Sequence, residues 1–120
     1  LRVLDISEGL GVYEPTFARV TLALEQHPRL QAVYSVGGGN RAIVDAFAAL
    51  GRPLQVFIGH DLDEENRQLL AEEKIAAIID HNLQVDARHV FLHILHYHRV
   101  WKAGPISPSQ VQIVTPFNLP

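Results

Sequence analysis

The sequence predicts an α/β fold, a three-layer sandwich with a mostly parallel, Rossmann-like sheet. Two observations predict it. Short apolar stretches rich in β-branched and aromatic residues alternate along the whole chain with segments of helical periodicity. The helical segments are also long enough to act as crossovers between parallel strands, which then connect with a right-handed turn.

Residues 2 to 6 (Arg-Val-Leu-Asp-Ile) read as a first strand. Residues 15 to 27 read as a helix, with Pro15 in its first turn and Phe17, Val20 and Leu24 on one face, ended by His27-Pro28. A strand at 31 to 36 runs into Gly37-Gly38-Gly39, and Ile43, Val44, Phe47 and Leu50 form the apolar stripe of a helix at 40 to 50 closed by Gly51. Residues 54 to 59 make the next strand. Asp63 then caps a helix whose first turn carries Glu64 and Glu65, a favourable placement against the helix dipole. A strand at 75 to 80, a long helix at about 84 to 102 ending near Gly104-Pro105, and a strand at 111 to 115 complete a βαβαβαβαβ order.

At 120 residues the chain fits one domain, and 48% apolar residues suffice for a core. A net charge of −3 with no Lys/Arg cluster argues against nucleic-acid binding by this segment itself. With no cysteine there is no disulfide or thiolate chemistry, and no apolar run reaches the roughly 18 residues of a membrane span. The chain has no methionine and opens on what reads as a strand already under way, so a piece of a longer protein is expected.

In open parallel sheets ligands gather beyond the carboxyl ends of the strands. The loops there offer Ser7 and Glu8, Asn40 and Arg41, His60 and Asp61, and His81 and Asn82. The glycine run lacks the Lys-Ser/Thr of a mononucleotide loop and the G-x-G-x-x-G spacing of a dinucleotide turn. Gly38 and its neighbours then serve either as a turn permitting close ligand approach or as an anion cradle at a helix N-terminus. Asn40 either caps the helix or faces a ligand. Asp61 can accept two hydroxyl hydrogens from a polyol, or cap a turn, and His81 can donate to the same ligand. His89, His93 and His96 share a helical stripe but lack the glutamate of a zinc hydrolase, and read as an exposed or interface stripe. No nucleophile elbow or carboxylate pair is present, so the expectation is a non-enzyme with no catalytic residue, metal or cofactor.

The segments "HPRLQAVYSVGGGNRAIVDAFAALG" and "FIGHDLDEENRQLLAEEKIAAIIDHN" resemble the C-terminal subdomain of type I periplasmic-binding-protein folds, most closely the effector domains of LacI/GalR-type bacterial transcription regulators. The resemblance covers nearly the whole chain, residues 1 to 120. It implies half of an effector cleft, with the helix-turn-helix and the first subdomain absent. It also implies a small effector such as a sugar, operator DNA bound only through the absent N-terminal domain, a cytoplasmic location and a homodimer. Asp61 falls where an aspartate commonly holds sugar hydroxyls, and His81 where many members have glutamine. The turn from Gly37 to Asn40 departs from members carrying Asn-Asp. For the dimer, Ala48 and Ala49 would let helices approach closely, and Leu69, Leu70 and Ala71 offer more apolar surface than one inward face needs, the competing explanation being that both leucines fill the subdomain's own core. The alternatives are the same half of a secreted solute-binding protein for sugar uptake, and a small flavodoxin-like enzyme using the glycine loop.

Overall fold

The computed structural model describes residues 2–4, 10–101, 107–108 and 110–120. Its order is α1 (Tyr13–Gln26), β1 (Ala32–Tyr34), α2 (Asn40–Ala49), β2 (Val56–His60), α3 (Glu64–Ala71), β3 (Ala77–His81), α4 (Leu83–Tyr97) and β4 (Val111–Val114). The strands form one sheet in the order β1-β2-β3-β4. β1, β2 and β3 run parallel, with Tyr34 opposite Ile58 and His60 opposite Ile79. The α/β class and the mostly parallel sheet therefore stand.

β4 runs antiparallel to β3, pairing Ile79 with Ile113 and His81 with Val111, as a mostly parallel sheet allows. Two expectations need correction. The expected first strand is not formed over residues 2–4, and Asp5 and Ile6 lie outside the described residues, as do Gly104 and Pro105. The third layer is not closed either. One face of the sheet, carrying Phe57 and Ile78, is sealed by the helices, whereas α4 buries none of its residues. Its apolar stripe of Leu83, Val90, Ile94 and Tyr97 stays exposed, and so do Val56 and Ile113 of the opposite sheet face.

The core follows from the periodicity of the sealed side. Leu24 of α1, Ile43, Val44 and Phe47 of α2, and Leu69 and Leu70 of α3 converge on Phe57, Ile78 and Val114. Both Leu69 and Leu70 are 0% exposed, so they fill this core and supply no dimer surface; Ala48, Ala49 and Ala71 do lie at the surface. The helix ends are fixed locally. Asp63 Oδ1 accepts from the Asn66 N–H at 2.8 Å and so caps α3, as its position before two glutamates predicts. Asn82 Oδ1 caps α4 by accepting from Val85 N–H at 3.1 Å. Between α2 and α3, Arg41 donates to Glu72 at 3.1 Å, which with a bond from Gln68 holds the Glu72 carboxyl below its usual range. Both side chains are partly solvated, so this pair adds little stability.

Candidate functional site

Because β1, β2 and β3 are parallel, the residues that follow them share one edge of the sheet: the turn from Gly37 to Asn40, then Asp61, then Asn82 after His81. Glu8, the remaining candidate, lies outside the described residues.

The glycine run resolves into three different jobs. A Cβ on Gly37 would meet nothing, while one on Gly38 would come within 3.2 Å of the Gly11 carbonyl oxygen, so Gly38 packs the turn against a neighbouring loop. Gly39 is the N-cap of α2 at φ 80°, a left-handed conformation that a side chain disfavours, and its Cβ would meet Thr16 Oγ1 at 2.9 Å. Gly39→Ala is accordingly expected to cost about 2 kcal/mol or more, from the left-handed backbone and the clash together. Urea unfolding of the two proteins checks it; equal midpoints would mean the turn relaxes freely.

The amide that a phosphate would use at the start of α2 is already engaged. Arg41 N–H donates to Glu65 Oε2 at 3.1 Å, so a carboxylate from α3 serves as the anion at this helix N-terminus. The turn reading of the glycines is thereby favoured over the anion cradle.

Asn40 takes neither of the roles expected of it. Its side chain does not cap α2 and is only 1% exposed, turned inward from the open edge. Asn40 Nδ2 donates to Asn66 Oδ1 at 2.8 Å, while Asn40 Oδ1 is buried without a partner. Asn66 in turn donates through Nδ2 to the carbonyls of His60, at 3.0 Å, and Asp61, at 2.8 Å. These bonds grip the backbone of Asp61, whose N–H also donates to the Ile79 carbonyl at 3.0 Å. Asp61 sits at φ 61°, which aspartate tolerates better than most residues. Its carboxylate is exposed and accepts no hydrogen bond from the described residues, so a fixed backbone carries a free acceptor.

Beside it stands a row of rings. Tyr34, His60 and His81 are the last residues of three parallel strands, and the register places them on one face. The Tyr34 hydroxyl lies 2.7 Å from His60 Nε2, and the His60 and His81 rings stack with centroids 5.9 Å apart. Asp80, one residue before His81, points to the other side and accepts from Leu62 N–H at 2.9 Å. The edge thus offers an acceptor at Asp61 and imidazole donors at His60 and His81. Among the described residues no three His, Asp or Glu side chains are grouped to hold a metal, and His93 and His96 of the α4 stripe are exposed. One recess lies elsewhere, lined by Arg2, Leu4 and residues 26–30 just before β1. It carries Arg2, Gln26, His27 and Arg29 and is formed by residues that precede β1, not by those that follow the parallel strands.

The four-stranded, mostly parallel sheet with its polar edge matches half of a periplasmic-binding-protein-like fold. No family model and no curated protein matches the sequence. Solved structures do match. The chain is similar to GanP, a glucose-galactose binding protein from Geobacillus stearothermophilus, with a TM-score of 0.83 and 16% identity over 99% of this chain and 43% of that one. It is similar to AraP, an arabinose binding protein from the same organism, with a TM-score of 0.72 and 18% identity over 94% of this chain and 42% of that one. A sugar-binding protein of a sugar ABC transporter from Bacillus halodurans gives a TM-score of 0.71 and 19% identity over 92% and 43% of the respective chains. The chain spans less than half the length of each.

Proposed function

We propose that this chain is one wall of a two-lobed, non-enzymatic receptor that binds a sugar or a similar polyol at the carboxyl edge of its sheet. The observation that carries the reading is the free carboxylate of Asp61, held on a clamped backbone at the same sheet edge as His81, on a fold shared with sugar-binding proteins. A carboxylate so placed accepts hydroxyl hydrogens in pairs, and an imidazole supplies the complementary donor. The glycine-loop enzyme reading loses support because Glu65 occupies the α2 N-terminus.

Two forms of the receptor reading differ in context. In the uptake form the receptor is exported and delivers sugar to a transporter, which the neighbouring structures favour, since they include a sugar-binding protein of an ABC transporter. In the LacI-type regulator form it is a cytoplasmic homodimer that couples ligand to operator DNA through an N-terminal helix-turn-helix domain. The "GHD" strand end and the strand closing at His81 favour that form. The coding sequence upstream of Leu1 separates them: a secretory leader selects uptake, a helix-turn-helix selects regulation.

In a two-lobed receptor containing this lobe, Asp61→Asn is expected to weaken ligand binding by about 1.5 to 3 kcal/mol, roughly ten- to hundred-fold, by replacing half of an anionic acceptor with a donor. Calorimetry on the two proteins measures it; unchanged affinity would remove Asp61 from the site.

A further inference from the structure

The carboxyl edge has two poles of opposite character. At one, Asp61 only accepts hydrogen bonds. At the other, His60 and His81 lie ring on ring at 5.9 Å, with Tyr34 closing one side of His60 at 2.7 Å. Neither imidazole forms an ion pair among the described residues. The groups around the pair are the Tyr34 hydroxyl from β1, Asp61 at the end of β2, Asp80 on the other face of β3, Val111 across from His81 on β4, and Asn82 and Asp86 at the start of α4. Asp80 is committed to Leu62 N–H and Asn82 to its helix cap, so among the described residues no carboxylate or amide hydrogen-bonds either ring, and the His60 ring bonds only the Tyr34 hydroxyl.

A ligand matched to both poles carries hydroxyls at one end and an anionic acceptor at the other. Resting on the receptor reading above, we propose that the ligand is an acidic sugar, an aldonate, uronate or sugar phosphate, whose anion lies against His60 and His81 while its hydroxyls reach Asp61. An anion set against the edge of the two rings can accept from their N–H groups, and it is the partner that an imidazolium would take, so binding of an acidic sugar is expected to be tighter in acid than in alkali.

The test is NMR on the isotopically labelled chain, following the ring signals of His60 and His81 at ligand concentrations up to tens of millimolar. The probes are gluconate, galacturonate and glucose 6-phosphate, with glucose, galactose and inorganic phosphate as controls. At least one acidic sugar is expected to move both histidines and to bind about five-fold or more tighter near pH 5.5 than near pH 8. His81→Gln is expected to abolish that pH dependence while far-UV circular dichroism and the thermal midpoint stay close to those of the parent, and His60→Gln to do the same. The carboxylate and phosphate arms decide which anion is taken. If galactose or glucose binds more tightly than every acidic sugar, with no pH dependence, the proposal falls and the sugar-receptor reading stands. If inorganic phosphate binds as well as glucose 6-phosphate and neither sugar acid binds, the two-pole site is overturned. If no sugar of either kind perturbs this edge, in this chain or in a two-lobed protein containing it, both the proposal and the receptor reading fall.

Discussion

Replacing Asn66 by leucine is expected to destabilise the chain by about 3 to 5 kcal/mol, since three buried or half-buried hydrogen bonds lose their common partner. Leucine keeps the branch at Cγ and is larger than asparagine, so none of the loss comes from a cavity. The loss comes from the Asn40 amide, the His60 carbonyl and the Asp61 carbonyl, which leucine leaves unpaired. Asn66→Asp separates these contributions: it keeps an acceptor for Asn40 but has no hydrogens for the two carbonyls. Urea unfolding should place it between the parent and Asn66→Leu. The functional consequence is specific as well. Asp61 loses one of the contacts that hold its backbone at φ 61°, so the two-lobed receptor should bind ligand less well even where it remains folded. Wild-type stability in Asn66→Leu would show that water replaces the amide at no cost.

Phe57→Ala is expected to cost about 3 to 5 kcal/mol, a large part of the stability of a domain this size. Phe57 is 1% exposed at the centre of β2 and meets the converging side chains of three helices, so truncation leaves a cavity that a close-packed layer cannot collapse. Its neighbour provides the control. Ile58 points to the sheet face that α4 leaves uncovered, and Ile58→Ala should cost much less than half as much, although it removes half as many carbons. Chemical denaturation of the pair measures the asymmetry between the two faces directly. Similar losses would mean that both faces are sealed.

That asymmetry also marks where reading the sequence succeeds and where it stops. The alternation of strand and helix patterns is local, and it located every described element, with ends displaced by one or two residues where fraying sets the boundary; α4 alone stops five residues short of its expected end. Asp63 was legible as a cap because the two glutamates after it carry the same message. The direction of β4 was not legible, since nothing in Val111–Val114 distinguishes a parallel from an antiparallel partner. Leu69 and Leu70 were misread because adjacent leucines on a helix look like two faces, whereas a short helix wedged between a sheet and α2 buries both. At the site, Asp61 and His81 were visible as polar residues ending strands. Asn66 was missed: its spacing from Asp63 suggests only a cap. Its bonds to Asn40, His60 and Asp61 depend on how α2 and α3 pack. The ring row was hidden for a related reason. Each ring ends its own strand, but the register that brings the three onto one face belongs to the sheet.

Gly59 ties this buried tier to the chain's history. A Cβ at that position would stand 2.8 Å from Ile78 Cδ1 and 3.2 Å from Asn40 Nδ2, so the absence of a side chain on β2 makes the space in which the Asn40 amide reaches Asn66. Positions 40, 59, 66 and 78 therefore cannot drift independently. A relative that acquires alanine or serine at 59 is expected to have already traded Asn40 or Ile78 for something smaller, and to have found another way of pinning the aspartate. The clamped edge is therefore expected to change only as a block, whereas the outward side chains at 34, 60 and 81 can vary without disturbing it.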